Sequence, residues 1–273
     1  MGKKAILLVS VGTSQIDALE NTTMKLKKEI EERFVEHTCY VAFSSKYILK
    51  KMRDKSAEIF LSVSEAFEQM KADGTEEIVV QPTYLLNGLE NDSMTEQVAE
   101  YKAQFKKVQI AKPLLSGKED YIKTLEAILS ELALEEDEAL VLVGHGSNHL
   151  SNATYQNLEY TAYTTDHRQV FVGTIEGEKE QEMTKSHRMT LRKLGVTGYK
   201  KVRLMPLLFV AGYHAMKDIA ADSGSWKSIL EDAGYQVKPA LIGLGEMESI
   251  RKIFVEHLET AMCRDLSEGE VCE

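Results

Sequence analysis

Apolar residues fall in short runs, separated by longer stretches in which charged residues recur at helical spacing. The runs are Lys4 to Ser10, Thr38 to Phe43, Glu77 to Pro82, Val108 to Lys112, Leu140 to Gly144, Gln169 to Gly173, Val202 to Leu207 and Gln236 to Ile242. Each has the length of a strand, and runs such as AILLV and ALVLV have the near-continuous apolar character of strands covered on both faces. Helices are predicted between them, for example over Ile16 to Phe34 and over Ser56 to Ala72. Strand and helix thus alternate. With right-handed crossovers, that alternation gives an α/β fold of mainly parallel sheet flanked by helices.

The strand candidates divide into two groups of four, and local matches between the groups suggest an internal duplication. Ala5 to Ser14 reads AILLVSVGTS, and Ala139 to Asn148 reads ALVLVGHGSN. Gln81-Pro82 followed by Gly88-Leu89-Glu90 is matched by Met205-Pro206 followed by Gly212-Tyr213-His214, and Gln109 to Leu115 echoes Gln236 to Ile242. The expected organisation is an N-terminal half, 1–135, and a C-terminal half, 136–273, joined in the acidic segment Glu131 to Glu138. Ligands of open parallel sheets bind at the carboxyl ends of the strands. The functional cleft is therefore expected between the carboxyl edges of the two halves.

Composition narrows the chemistry. A net charge of −10 over 273 residues lacks the basic footprint needed to neutralise phosphates, which argues against nucleic-acid partners. Cys39, Cys263 and Cys272 form no CxxC pair and suggest neither a disulfide framework nor a thiolate metal site, which fits a reducing cytoplasm. The apolar run after Lys3-Lys4 is too short for a signal peptide, and no stretch approaches the roughly 20 apolar residues that span a bilayer. A cytoplasmic protein with no membrane partner is expected. A homo-oligomer stays open, because the apolar residues of Ile253 to Met262 suit either a core or an interface between copies.

Three polar residues end apolar runs of the second half: His145 in Gly144-His-Gly146, Glu176 in GTIEGE and His214 in FVAGYHAMKD. Neighbouring strands lie about 4.8 Å apart, so side chains from three such ends can meet on one ion. Two imidazoles and a carboxylate suit a borderline divalent metal such as cobalt, iron, nickel or zinc, with positions left open for a substrate. Glu176 has a competing reading as the acidic start of a helix. His149 lies four residues beyond His145 across a turn and reads as a substrate contact or a support to the site, whereas His37, His167, His187 and His257 read as surface residues. In the first half, Gly12-Thr13-Ser14 opens a helix where N–H groups and hydroxyls could hold a carboxylate. With no Walker A lysine and no GxGxxG, neither a nucleotide nor ATP is implied. Glu90 ends the third run of the first half, at the position corresponding to His214.

Several segments in this order resemble the anaerobic sirohydrochlorin cobaltochelatases, ATP-independent class II tetrapyrrole chelatases. They are Ser10-Val-Gly-Thr-Ser14, Phe43-Ser-Ser45, Gln81-Pro82 with Asn87-Gly-Leu-Glu90, Gly144-His-Gly146 with His149, Val172-Gly-Thr-Ile-Glu176 and Met205-Pro-Leu-Leu-Phe-Val-Ala-Gly-Tyr-His214. Asp222 to Lys227 and Gly243-Leu-Gly-Glu246 add to the likeness. The resemblance implies two Rossmann-like halves with the active-site cleft between them, and His145, Glu176 and His214 as ligands of the incoming metal. That metal is a substrate, Co2+ first, with Fe2+ or Ni2+ open, and it enters the macrocycle of sirohydrochlorin on the anaerobic route to cobalamin. Ser10, Thr13, Ser14 and His149 become candidate contacts to the tetrapyrrole. Val11 and the run Leu89-Glu90-Asn91-Asp92 depart from the family's pattern, which bears on the shape of the macrocycle pocket.

Insertion displaces pyrrole N–H protons, and a histidine that titrates near neutrality is a suited acceptor. His145 is the expected proton acceptor, released from the metal as the ion moves to the macrocycle, with Glu90 as an aid. Three alternatives stay in view: a sirohydrochlorin ferrochelatase, a non-catalytic carrier, and an unrelated metalloenzyme of the non-haem iron type. The last usually carries H-x-[DE] at its metal site, and none of His145, His149 or His214 begins such a motif.

Overall fold

The structure is a computed structural model and describes residues 2–176, 180–213 and 215–263. Strands β1 (Lys3–Ser10), β2 (His37–Phe43), β3 (Leu61–Ser62), β4 (Thr75–Pro82) and β5 (Lys107–Ile110) form one sheet in the order β3-β2-β1-β4-β5. Strands β6 (Glu138–Gly144), β7 (Val170–Thr174), β8 (Lys201–Leu207) and β9 (Gln236–Pro239) form a second, in the order β7-β6-β8-β9. Every adjacent pair is parallel. All the strands expected from the sequence are present, but the first sheet gains β3, so the sheets have five and four strands rather than four each.

The helices are α1 (Ile16–Leu19), α2 (Lys25–Arg33), α3 (Lys46–Lys55), α4 (Val63–Ala72), α5 (Leu89–Tyr101), α6 (Lys118–Leu132), α7 (Ala153–Thr164), α8 (Glu180–Leu194), α9 (Trp226–Asp232) and α10 (Glu248–Cys263). A π-helical turn, Glu20–Met24, joins α1 to α2, so the helix predicted over Ile16 to Phe34 is essentially continuous. The helix predicted over Ser56 to Ala72 begins only after Ser62. There the Ser62 hydroxyl accepts the Glu65 N–H while the Glu65 carboxylate accepts the Ser62 N–H, a capping box that fixes the start.

The chain separates into two compact units, one of Met1–Ser116 with the C-terminal segment from Glu248, the other of Gly117–Met247. This differs from the division expected at 135/136. Helix α6 packs on α7 of the second unit, and α10 returns to β4 and β5 of the first. In α10, Ile250, Ile253, Phe254, Leu258 and Ala261 are buried, and Arg251 pairs with Glu29 on α2. The apolar residues Ile253 to Met262 therefore supply core. His257, expected on the surface, is buried on the same helix with Nδ1 3.2 Å from the Lys112 carbonyl. His187 is also buried, its ring centroid 4.0 Å from that of Trp226.

Both sheets bury their central strands on two faces. Ala5, Leu7 and Val9 enter a cluster with Ala66, Phe67 and Met70 of α4 and with Met94 and Val98 of α5, while Ile6 and Leu8, equally buried, face the other side. In the second unit Ala139, Val141 and Val143 pack with Leu194, Trp226 and Leu230, and Leu140 and Leu142 take the opposite face. Among the described residues no helix is long and apolar enough to cross a membrane.

The paired central strands of the two units share one register. Lys4 pairs with Glu77 and Val9 with Pro82 in the first; Glu138 pairs with Lys201 and Val143 with Pro206 in the second. The last pair of strands aligns Lys107 with Gln236, since each faces the equivalent residue Glu77 or Lys201. The match of Gln109 to Gln236 expected from sequence is thus shifted by two positions. Past the strands the same pattern resumes with one extra residue in the second unit: Leu114 N–H bonds Tyr84 O and Leu115 N–H bonds Leu85 O, as Leu244 bonds Leu208 and Gly245 bonds Phe209.

Candidate active site

Strand β6 delivers its last residue, Gly144, into a turn that only glycine accommodates. A Cβ on Gly144 would lie 2.1 Å from the Tyr155 ring, and one on Gly146, where φ is +84°, would lie 1.9 Å from the Glu176 carbonyl. Gly144 O accepts the Ile175 N–H at 2.9 Å and His145 O accepts the Glu176 N–H at 2.7 Å. The ends of β6 and β7 are thereby locked together, and His145 and Glu176 emerge side by side. His145 Nδ1 is 3.8 Å from Glu176 Oε2, with both side chains partly exposed.

That separation is too long for a hydrogen bond, so neither group consumes the other's capacity as a donor to an ion. Nδ1 also lies 3.2 Å from the Gly146 carbonyl. The Gly146 carbonyl and the Glu176 carboxylate thus both stand on the Nδ1 side of the ring. His214, the third predicted ligand, lies outside the described residues, as does Cys272. Among the described residues no group of three or more His, Cys, Asp or Glu side chains is arranged for a metal.

The remaining predicted residues divide by exposure. His149 caps the short turn Leu150–Asn152, its Nδ1 accepting the Ser151 N–H at 3.2 Å; the proton of the neutral ring is then on Nε2. In the first unit, Ser10 and Thr13 are buried beneath their turn. Ser10 Oγ accepts the Gly12 N–H at 3.3 Å and Thr13 Oγ1 accepts the Gln15 N–H at 3.2 Å, which leaves Ser14 as the partly exposed hydroxyl. Glu90 is exposed in the first turn of α5, where a carboxylate suits the N–H groups of a helix start.

Tyr155 was not anticipated. It is buried under the Gly144 turn, its hydroxyl 3.4 Å from the Gly146 N, and burial pushes its phenol above the ordinary range against the pull of the His145 and Gly146 amides. Asn152 adds a second support, its Oδ1 accepting the Ser147 N–H at 3.0 Å. A tyrosine at the start of the helix that follows Gly144-His-Gly146 was the available signal.

The family model described as cobalt chelatase (CbiK) matches residues 4–263. The chain belongs to the cobalt chelatase family. It is 33% identical over 262 residues to a sirohydrochlorin cobaltochelatase of Salmonella typhimurium, covering 95% of this chain and 97% of that one. It is 32% identical over 267 residues to the sirohydrochlorin cobaltochelatase CbiKC of Nitratidesulfovibrio vulgaris, covering 96% and 92% respectively. The fold of this cobalt chelatase is also that of SirB from Bacillus subtilis with Fe3+, with a TM-score of 0.67 at 14% identity over 97% of this chain and 98% of that one.

Proposed function

We propose that the protein inserts Co2+ into sirohydrochlorin without ATP, releasing two protons to form the cobalt complex. Family membership over nearly the whole chain carries this reading, and the adjacency of His145 and Glu176 supports the site. In this reading the ion is a substrate, held by His145 through Nε2, by Glu176 and by His214. Their mixed imidazole and carboxylate character suits Co2+ and serves Fe2+ or Ni2+ as well, so the same ligands admit more than one metal.

The chemical demand is to strip two pyrrole protons and release the ion inward. An imidazole lone pair cannot hold a metal and a proton at once. As the ion shifts to the macrocycle nitrogens, Nε2 of His145 is freed and takes a proton, and the Gly146 carbonyl beside Nδ1–H stabilises the imidazolium that forms. Glu90 is a second acceptor. Ser14 and His149 contact the tetrapyrrole, with Ser10 and Thr13 shaping the turn that carries Ser14. The reaction belongs to the cytoplasm, where thiols such as Cys39 stay reduced.

Anaerobic mixing of the purified protein with sirohydrochlorin and Co2+, Fe2+ or Ni2+, followed by absorbance, tests this directly. Accelerated insertion, fastest with Co2+ and lost in His145→Ala, is the expected result. Binding of sirohydrochlorin without acceleration would turn the reading into that of a carrier.

A further inference from the structure

Single exposed apolar side chains are ordinary on a protein surface. Four here are less ordinary, because they occupy equivalent positions in the two units. Ile16 (40% exposed) follows Gln15, whose N–H bonds the Thr13 hydroxyl; Leu150 (91%) follows His149, whose N–H bonds the Ser147 hydroxyl. Leu89 (60%) lies inside the turn closed by Asp92 N–H on Gly88 O, and Tyr213 (65%) inside the one closed by Met216 N–H on Gly212 O. All four belong to segments that leave the carboxyl ends of strands.

The second unit adds charge to this pattern. Lys217 Nζ stands 5.6 Å from the Tyr213 ring centroid, and both side chains are exposed. Leu150 follows β6 and Tyr213 follows β8, two adjacent strands whose ends pair at Gly144 and Leu207. An aromatic ring beside a cation after one strand, and a leucine presented to water after the strand next to it, match a flat conjugated macrocycle with carboxylates around its rim. On a chain of net charge −10, a local cation is what a polycarboxylate needs to approach.

Resting on the chelatase reading, we infer that Leu150 and Tyr213 contact the face of the tetrapyrrole and that Lys217 pairs with one of its peripheral carboxylates. These are substrate-positioning contacts. They act on the macrocycle and leave metal capture to other residues.

The test is a titration of sirohydrochlorin into the metal-free protein, with steady-state KM values for tetrapyrrole and Co2+ measured separately. Tyr213→Ala and Leu150→Ser are expected to raise Kd and KM for sirohydrochlorin about tenfold, with KM for Co2+ unchanged; Tyr213→Phe retains the wild-type values. Lys217→Gln is expected to raise KM for sirohydrochlorin several-fold and to flatten its salt dependence. Leu150 is almost wholly in solvent, so Leu150→Ser leaves folding intact and keeps the test valid if Tyr213→Ala unfolds. Wild-type turnover with unchanged sirohydrochlorin affinity in Tyr213→Ala, Leu150→Ser and Lys217→Gln would overturn the inference alone. Failure of the wild type to bind sirohydrochlorin would instead remove the chelatase reading on which it rests.

Discussion

The ends of β1 and β6 use the same backbone frame for different purposes. Val11 O accepts the Ser45 N–H in the first unit where His145 O accepts the Glu176 N–H in the second, and the following glycines, Gly12 and Gly146, have φ of +97° and +84°. The pair His145 and Glu176 is therefore replaced, position for position, by Val11 and Ser45. Ser45 spends its hydroxyl on the Ile48 N–H as the cap of α3, and Val11 offers no donor. In the sequence repeat, Glu90 takes the position aligned with His214. The strand edge supplies position, and only the side chains placed on it supply chemistry.

The largest expected effect breaks this comparison at its centre. His145→Ala should lower kcat for metal insertion by about 10²- to 10⁴-fold, the usual range for a proton acceptor. Val11→Ala at the equivalent place should change kcat less than about threefold. Equal losses in the two variants would mean that the turn, rather than the imidazole, does the work.

A second contrast lies at the opposite edge of the sheets. Glu138 is buried and bound by Arg203 through two hydrogen bonds of 2.8 and 2.9 Å, whereas the equivalent Lys4 meets Glu77 at 3.8 Å with both side chains partly in solvent. Arg203→Ala leaves a buried carboxylate without its cation and should cost about 3 to 5 kcal/mol in urea unfolding. Lys4→Ala should cost at most about 1 kcal/mol.

Much of this was legible. Runs such as AILLV and ALVLV identify buried parallel strands because apolar continuity is a direct consequence of covering both faces. Strand β3 was not, since two residues, Leu61 and Ser62, carry no periodicity. The box Ser62 to Glu65 was a readable stop to the helix predicted across it. Burial of His187 and His257 was hidden because their neighbours in sequence are charged; the partners that enclose them, such as Trp226 and Lys112, come from distant segments. Of the site, His145 and Glu176 were legible as strand-end residues. Tyr155 was visible only as a tyrosine near the start of the following helix; that its ring packs where a Cβ of Gly144 would lie is set by the fold.

The two glycines give a smaller, graded contrast. Gly146→Ala would set a Cβ against the Glu176 backbone at 1.9 Å, which no rotamer relieves, while Gly12→Ala would meet side-chain atoms of Ile48, Phe43 and Met52 at 3.1 to 3.2 Å. Both incur the roughly 1 to 2 kcal/mol of left-handed backbone in a residue with a Cβ. Gly146→Ala should also separate His145 from Glu176 and reduce kcat. Gly12→Ala should lower stability with kcat nearly intact.

The smallest effect concerns acid. Helix α4 is capped by the Glu65 carboxylate, which the Ser62 N–H, the Ser62 hydroxyl and Arg53 hold down to a pKa of about 2. Helix α9 is capped instead by two hydroxyls, Ser225 accepting the Ser228 N–H and Ser228 accepting the Ser225 N–H. A carboxylate whose folded pKa lies below its ordinary value of 4.5 stabilises the fold fully above that pH and loses the contribution as pH falls towards 2. Glu65 is nearly half exposed, so solvent screening keeps the contribution under about 1 kcal/mol. The difference in unfolding free energy between wild type and Glu65→Gln should hold steady from pH 7 to about 5 and shrink towards pH 2. Ser228→Ala should show a loss with no such slope, because a hydroxyl cap has no proton to gain over that range. A parallel slope in both variants would place the acid sensitivity elsewhere in the protein.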